Sequence, residues 1–106
     1  MVNQEQIREF SRRLAREFKP KRIVLFGSYA KGRATPHSDV DLLVIMPHSG
    51  RAVDKSVEIR LKLKPDFPLD LLVRTPEKIR QRIAMGDSFM KEIMTKGRVL
   101  YEADHA

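Results

Sequence analysis

Residues 26–45 read FGSYAKGRATPHSDVDLLVI, and this stretch decides the fold that we expect. The β-branched and aromatic run of residues 22–26 stops at Gly27, which is typical of a buried strand that ends in a tight turn. After a loop, residues 39–45 form a second, mostly apolar run. The stretch therefore predicts two strands joined through a turn, and beyond Asp41 we expect both faces of the second strand to be buried.

Helical patterns flank these strands on both sides. Residues 3–18 predict a helix, because Asn3 and Gln6 form a capping-box pair at its start. Apolar residues then recur along it at helical spacing, namely Ile7, Phe10, Leu14 and Phe18. Residues 51–64 predict an amphipathic helix that ends before Pro65.

The C-terminal third alternates between strand and helix in the same way. Residues 69–73 predict a third strand, and residues 75–96 predict a helix that could break near Gly86. Gly97 fits the left-handed position after that helix, and residues 99–101 predict a last strand at a sheet edge. The predicted order is α-β-β-α-β-α-β.

The bulk properties exclude several classes of protein. A chain of 106 residues has the usual size of one domain, so we expect residues 1–106 to form a single folded unit. The absence of cysteine excludes disulfides and thiolate metal sites. No apolar run is long enough to span a membrane, so we expect a soluble, cytoplasmic protein. The net charge of +7 favours polyanions or an acidic partner.

Three carboxylates point to chemistry. Asp39 and Asp41 are two residues apart in a predicted strand, so their side chains share one face. Like charges held so close raise each other's pKa, and a cation would relieve the repulsion. Mg²⁺ prefers such oxygen ligands and also binds substrate phosphates. With Asp70 as a third ligand from the next strand, the cluster predicts two Mg²⁺ ions about 3.5 to 4 Å apart.

A phosphate-binding turn completes this prediction. Gly27 lets the backbone approach a phosphate closely, and Ser28 opens a short helix whose free N–H groups face an anion. Taken singly, each feature has a simpler interpretation: a plain turn for the Gly-Ser pair, and a turn cap or an ion-pair partner for each aspartate. Their conjunction at this spacing favours a catalytic site.

Residues 27–45, GSYAKGRATPHSDVDLLVI, resemble the signature Gly-Ser, ten residues, Asp-x-Asp of the DNA polymerase β-like nucleotidyltransferase superfamily. The short chain resembles the minimal nucleotidyltransferase (MNT) branch. The resemblance implies an α/β (α+β) nucleotidyltransferase fold, a mixed sheet of about four strands with helices packed on it. It also implies that Asp39 and Asp41 hold Mg²⁺ and that Asp70 is the third ligand and base. Gly27 and Ser28 would bind nucleotide phosphates.

The resemblance carries one departure in the site. Members of this family often have Arg where this chain has Lys31, and Lys offers a point charge in place of a bidentate fork. Lys31 remains a predicted phosphate ligand, with Arg33 as a nearby substitute.

The resemblance further implies a partner and an acceptor. MNT proteins are similar to the antitoxins that are paired with HEPN toxins, and these toxins are all-helical ribonucleases. The resemblance implies that the MNT protein transfers AMP from ATP to a tyrosine hydroxyl of its toxin. Two alternatives stay open: an antitoxin that inhibits by binding alone, and a nucleotidyltransferase that acts on a small molecule or RNA.

The basic first helix is either a solvated surface or a docking surface for an acidic toxin or RNA, and nucleic-acid binding is not favoured.

Two further patterns have no assigned chemistry. The spacing of Phe89, Met90, Ile93 and Met94 predicts a core-facing helix stripe. The spacing of His37, His48 and His105 is not typical of a metal site.

Overall fold

A four-stranded mixed sheet organises the chain, with strand order β3-β2-β1-β4. The computed structural model describes residues 1–104, so the prediction for His105 lies outside the described residues. The elements in chain order are α1 (Gln4–Phe18), β1 (Arg22–Phe26), α2 (Gly27–Lys31), β2 (Val40–Ile45), α3 (Ala52–Leu63), β3 (Leu69–Arg74), α4 (Pro76–Ala84), α5 (Ser88–Lys96) and β4 (Arg98–Glu102). The predicted fold class, a mixed sheet of about four strands with helices packed on it, is confirmed.

The helices begin where side chains can bind their free N–H groups. In α1 the Asn3 side chain accepts a hydrogen bond from the backbone N–H of Gln6, and the Gln6 side chain accepts one from Asn3, which confirms the predicted capping box. The long helix predicted over residues 75–96 is two helices, because Gly86 adopts a φ of +87°. Asp87 then caps α5 by accepting from the backbone N–H of Met90 at 3.0 Å.

The prediction of a left-handed Gly97 is wrong. Its φ is −69°, in the extended region that any residue adopts. A Cβ at this position would lie 2.5 Å from both Val24 Cγ1 and the carbonyl oxygen of Ile93. Gly97 is therefore required by close packing of α5 against β1, while Lys19 and Lys64 adopt the left-handed conformation that closes α1 and α3.

The strands meet in two different ways. β1 pairs antiparallel with both β2 and β4, whereas β2 pairs parallel with β3 in a register that joins Asp41 to Asp70. The two central strands, β1 and β2, are buried on both faces, as predicted beyond Asp41. β3 and β4 are the sheet edges.

A hydrophobic layer covers each face of the sheet. On one face α1 and α3 pack through Ile7, Leu14 and Ile59, and on the other α4 and α5 pack through Ile79, Met90 and Ile93. The predicted stripe of α5 is confirmed only in part, because Phe89 is 53% exposed. In the part of the chain that the structure describes, no helix combines the length and hydropathy needed to cross a bilayer.

Candidate active site

The three predicted carboxylates gather at one end of the sheet. Asp39 directly precedes β2, Asp41 is the second residue of that strand, and Asp70 is its partner in β3. Side chains two residues apart in a strand share a face, so Asp41 lies on the face of Leu43 and Asp70 on that of Leu72. Both leucines belong to the layer under α4 and α5. Asp41 and Asp70 therefore lie on the α4/α5 face, beyond the end of its apolar layer.

Gly27 connects this end of the sheet to α2. Phe26, the last residue of β1, pairs with Asp41, so the chain turns at Gly27 directly beside that carboxylate. A Cβ at Gly27 would lie 2.1 Å from Oδ2 of Asp41, and the residue has a φ of +73°. Both its conformation and its neighbour exclude a side chain, because an L-residue is strained at this φ and no atom fits in the gap.

Electrostatics single out the central carboxylate. Burial, the negative charges of Asp70 and Asp39, and a hydrogen-bond interaction with Asp70 together raise the pKa of Asp41 from 3.8 to about 6, with burial the largest cause. A carboxyl with a raised pKa between two other acids is a place where negative charge is poorly compensated. Asp39 and Asp70 themselves are exposed.

This donor set fits a divalent cation at its centre. Asp41 and Asp70 offer hard oxygen ligands from two strands in register, and a cation would compensate the charge that raises the pKa of Asp41. Within residues 1–104, no three His, Asp or Glu side chains stand in the arrangement of a formed metal site. Metal binding by Asp39 together with Asp41 and Asp70 therefore stays a prediction.

The remaining predicted residues lie on α2 and just after it. Ser28 is half-buried next to Gly27, and its carbonyl oxygen accepts from the backbone N–H of Arg33 at 2.9 Å. Lys31 Nζ lies 3.6 Å from Glu92 Oε1 of α5, with both side chains half exposed. Gly27 and Ser28 are thus beside the carboxylates, whereas Lys31 is turned toward α5 and Arg33 lies exposed beyond the helix. Phosphate binding by these four residues stays a prediction.

A slot beside Gly27 was missed by the sequence pattern. It has a volume of about 80 Å³ and opens between α2 and α5, lined by Phe26, Gly27, Lys31, Phe89 and Glu92 among others. The ring of Phe89 meets that of Phe26 edge to face, with centroids 5.8 Å apart. Helical spacing alone had assigned Phe89 to the core, and only its exposure distinguishes it.

Known proteins resemble this chain over most of its length. Residues 7–101 match the protein family described as "Nucleotidyltransferase domain". Two proteins of Methanocaldococcus jannaschii, each named "Putative protein adenylyltransferase", are similar to it. One is 31% identical over 105 residues, which cover 95% of this chain and 100% of the relative. The other is 30% identical over 95 residues, covering 88% and 93%.

Solved structures share the fold. A structure from Sulfolobus solfataricus, described as a putative nucleotidyltransferase, superposes with a TM-score of 0.58 at 19% identity, covering 73% of this chain and 70% of that chain. A mutant of the toxin-antitoxin MntA-HpeT superposes with a TM-score of 0.57 at 21% identity, covering 97% and 75%. A toxin-antitoxin structure with AMP-PNP gives a TM-score of 0.56 at 21% identity, covering 97% and 76%.

The fold, the carboxylates at the end of its sheet and these similarities lead to one conclusion. The chain belongs to the nucleotidyltransferase domain family and is an enzyme of the nucleotidyltransferase class.

Proposed function

We propose that this chain is a Mg²⁺-dependent protein adenylyltransferase that transfers AMP from ATP to a tyrosine hydroxyl of a HEPN-type toxin and thereby neutralises it. The observation that carries the proposal is the register of Asp41 with Asp70, directly beside the side-chain-free turn at Gly27. The names of the two relatives support AMP as the transferred group and a protein as the acceptor.

The order of the strands separates the two substrates. Gly27 follows β1 near the middle of the sheet, Asp41 is next to it in β2, and Asp70 is exposed on the edge strand β3. The triphosphate would bind on the Gly27 side. The acceptor hydroxyl would approach from the open edge, where a side chain on the surface of another protein can reach Asp70.

Each site residue would have a role in the transfer of AMP. The acceptor oxygen attacks the α-phosphorus of ATP, and the bond from that phosphorus to the β-bridging oxygen breaks, so that pyrophosphate leaves. Asp70 takes the proton of the acceptor hydroxyl, and the N–H groups at Gly27 and Ser28 bind the phosphates. Asp39, Asp41 and Asp70 would hold Mg²⁺, which neutralises charge on the phosphates when bound.

The toxin partner is supported by different observations. Two of the structures that share this fold are described as toxin-antitoxin structures, and one of these holds an ATP analogue. The net charge of +7 favours an acidic partner, because complementary charge accelerates association. Asp70 is exposed on the edge strand β3, so a side chain on the surface of a partner protein can reach it.

Label transfer tests the proposal. The chain is incubated with α-labelled ATP, Mg²⁺ and the protein encoded beside it, and Asp39→Asn and Asp41→Asn are compared with the wild type. Asp66→Asn, an exposed aspartate in the loop before β3, is the matched control. We expect label on a tyrosine of the partner with the wild type and the control, and at least about a hundredfold less with either site variant.

Two outcomes would contradict this proposal. Transfer that survives both site substitutions would exclude the metal assignment. Neutralisation of the partner by Asp41→Asn at wild-type strength, without label, would instead support an antitoxin that acts by binding alone.

A further inference from the structure

The slot between α2 and α5 lies on the nucleotide side of the carboxylates. Gly27 contributes to its wall and also touches the carboxylate of Asp41, so the slot and the carboxylate cluster share a border. Glu92 and Lys31 form an ion pair that joins α5 to α2 across it. A nucleotide whose phosphates bind at Gly27 would therefore lie within reach of this slot.

The slot presents an exposed aromatic ring. Phe89 is 53% exposed, although its ring packs edge to face against Phe26, a buried residue of β1. An edge-to-face pair leaves one face of a ring free for a further contact. The cost of exposing a ring of this size is removed when a flat apolar surface covers it.

The slot is too small to enclose a purine, at about 80 Å³. It is also open to solvent, so a flat ligand would lie against Phe89 with only its edge in the slot. Stacking on an aromatic side chain is the usual way in which proteins hold a nucleobase without enclosing it.

We propose that Phe89 is a nucleobase-stacking residue and that the slot between α2 and α5 is the nucleoside subsite of the enzyme. This inference rests on the proposed function in one respect, that the turn at Gly27 holds a nucleoside triphosphate. It adds which surface binds the base. Stacking tolerates every base, so the subsite contributes affinity for the nucleoside in general, without choosing ATP over other nucleoside triphosphates.

Affinity for ATP and for inorganic tripolyphosphate, each with Mg²⁺, separates the base from the phosphates. We expect Phe89→Ala to weaken ATP binding on the order of tenfold, the effect of losing one stacked base, and to leave tripolyphosphate binding unchanged. Phe89→Tyr, which keeps the ring, should retain ATP affinity. Leu61→Ala, which removes an exposed apolar side chain from α3 on the opposite face of the sheet, is the matched control and should change neither affinity.

A spectroscopic test reports the contact directly. The chain has no tryptophan, so Phe89→Trp introduces a single tryptophan at the slot. We expect ATP to quench its fluorescence and tripolyphosphate to leave it unchanged. Val57→Trp, at a half-exposed position of α3, should respond to neither ligand.

The outcomes distinguish this inference from the proposed function. If ATP binds with unchanged affinity to Phe89→Ala and does not quench Phe89→Trp, the base lies elsewhere and this inference is overturned, while the triphosphate site stands. If Phe89→Ala binds ATP normally but loses its partner protein, Phe89 is a docking residue and the inference is equally overturned. If neither ATP nor tripolyphosphate binds the wild type, the proposed nucleotide site itself fails.

Discussion

At the scale of single residues, Gly27 and Asp41 constrain each other. The carboxylate of Asp41 occupies the space that a Cβ of residue 27 would take, and the left-handed φ of Gly27 turns the chain into α2 at that point. The site therefore depends on a missing side chain as much as on its acids. Gly32 has a similar φ of +69° but nothing within 4 Å of its absent Cβ, so it offers an internal comparison.

We expect Gly27→Ala to abolish nucleotidyl transfer and to destabilise the protein, because it adds a clash with Asp41 to left-handed strain. Gly32→Ala should cost about 1 to 2 kcal/mol from the strain alone and keep its activity. Urea unfolding and label transfer, measured on both variants, check this pair. Equal activity in the two variants would show that the contact between Gly27 and Asp41 is irrelevant to the site.

The raised pKa of Asp41 predicts a stability that depends on pH. Because the folded-state pKa, about 6, lies above the ordinary value of 3.8, the folded protein binds the proton more tightly than the unfolded chain does. The wild type without metal should therefore lose stability as pH rises from about 4 to about 6. We expect Asp41→Asn to raise the melting temperature above pH 6, and to give no gain below pH 4.

Thermal melts in a chelator across this pH range test the sign of the effect. Asp54→Asn is a control with the opposite expectation, since a hydrogen bond and ion pair with Arg51 lower the pKa of Asp54. A lower melting temperature for Asp41→Asn than for the wild type at neutral pH would contradict the prediction.

At the scale of elements, the break between α4 and α5 shapes the slot. A single helix over residues 75–96 would continue along one axis, but Gly86 turns the chain and Asp87 restarts it. The second helix then packs on β1 through Ile93 and Gly97 while Phe89 faces solvent. The position of Phe89 thus depends on the start of α5.

We expect Asp87→Ala to lower the free energy of unfolding by about 1 kcal/mol, because the cap to the N–H of Met90 is lost. It should also weaken ATP binding in the same direction as Phe89→Ala, since the first turn of α5 frays. Asp87→Asn keeps a cap and loses only the distant ion pair with Arg82, at 3.8 Å, so it should stay close to the wild type. Urea titrations give both values, and equal losses in the two variants would contradict the capping argument.

At the scale of the whole molecule, the sheet separates the site from the most basic helix. α1 packs on the face of the sheet opposite the carboxylates and contacts the edge strand β4. Its exposed face carries Arg8, Arg12 and Arg16, but Glu5 and Glu9 pair with the first two. Arg16 has no ion-pair partner within residues 1–104. This surface is therefore available to a partner without blocking catalysis.

We expect Arg16→Glu to slow association with an acidic toxin severalfold, because charges at an interface rim act mainly on the association rate. The affinity of the variant for ATP should stay unchanged. Lys96→Glu, the same reversal beside the slot, is the control and should affect ATP binding instead. Association kinetics and ATP titrations on both variants check the separation. An unchanged association rate for Arg16→Glu would leave α1 as a solvated surface.

The amino-acid pattern by itself determined the strands, most of the helices and the class of enzyme. Alternation and apolar runs identified all four strands, capping residues identified the start of α1, and the Gly-Ser and Asp-x-Asp spacing indicated a nucleotidyltransferase, as the family match confirms. These features are local, because each depends on residues that are close together in the sequence. The site residues derived from them remain predictions.

Only the tertiary structure decided how these pieces meet. The pairing of Asp41 with Asp70 joins residues 29 positions apart through a parallel register, which no local pattern encodes. Val24 leaves no room for a side chain at Gly97, and the exposure of Phe89 depends on how α5 packs on the sheet. Packing between segments distant in the sequence sets the positions of these residues. The three carboxylates could therefore be predicted from the sequence, whereas the slot beside them is formed only by the fold.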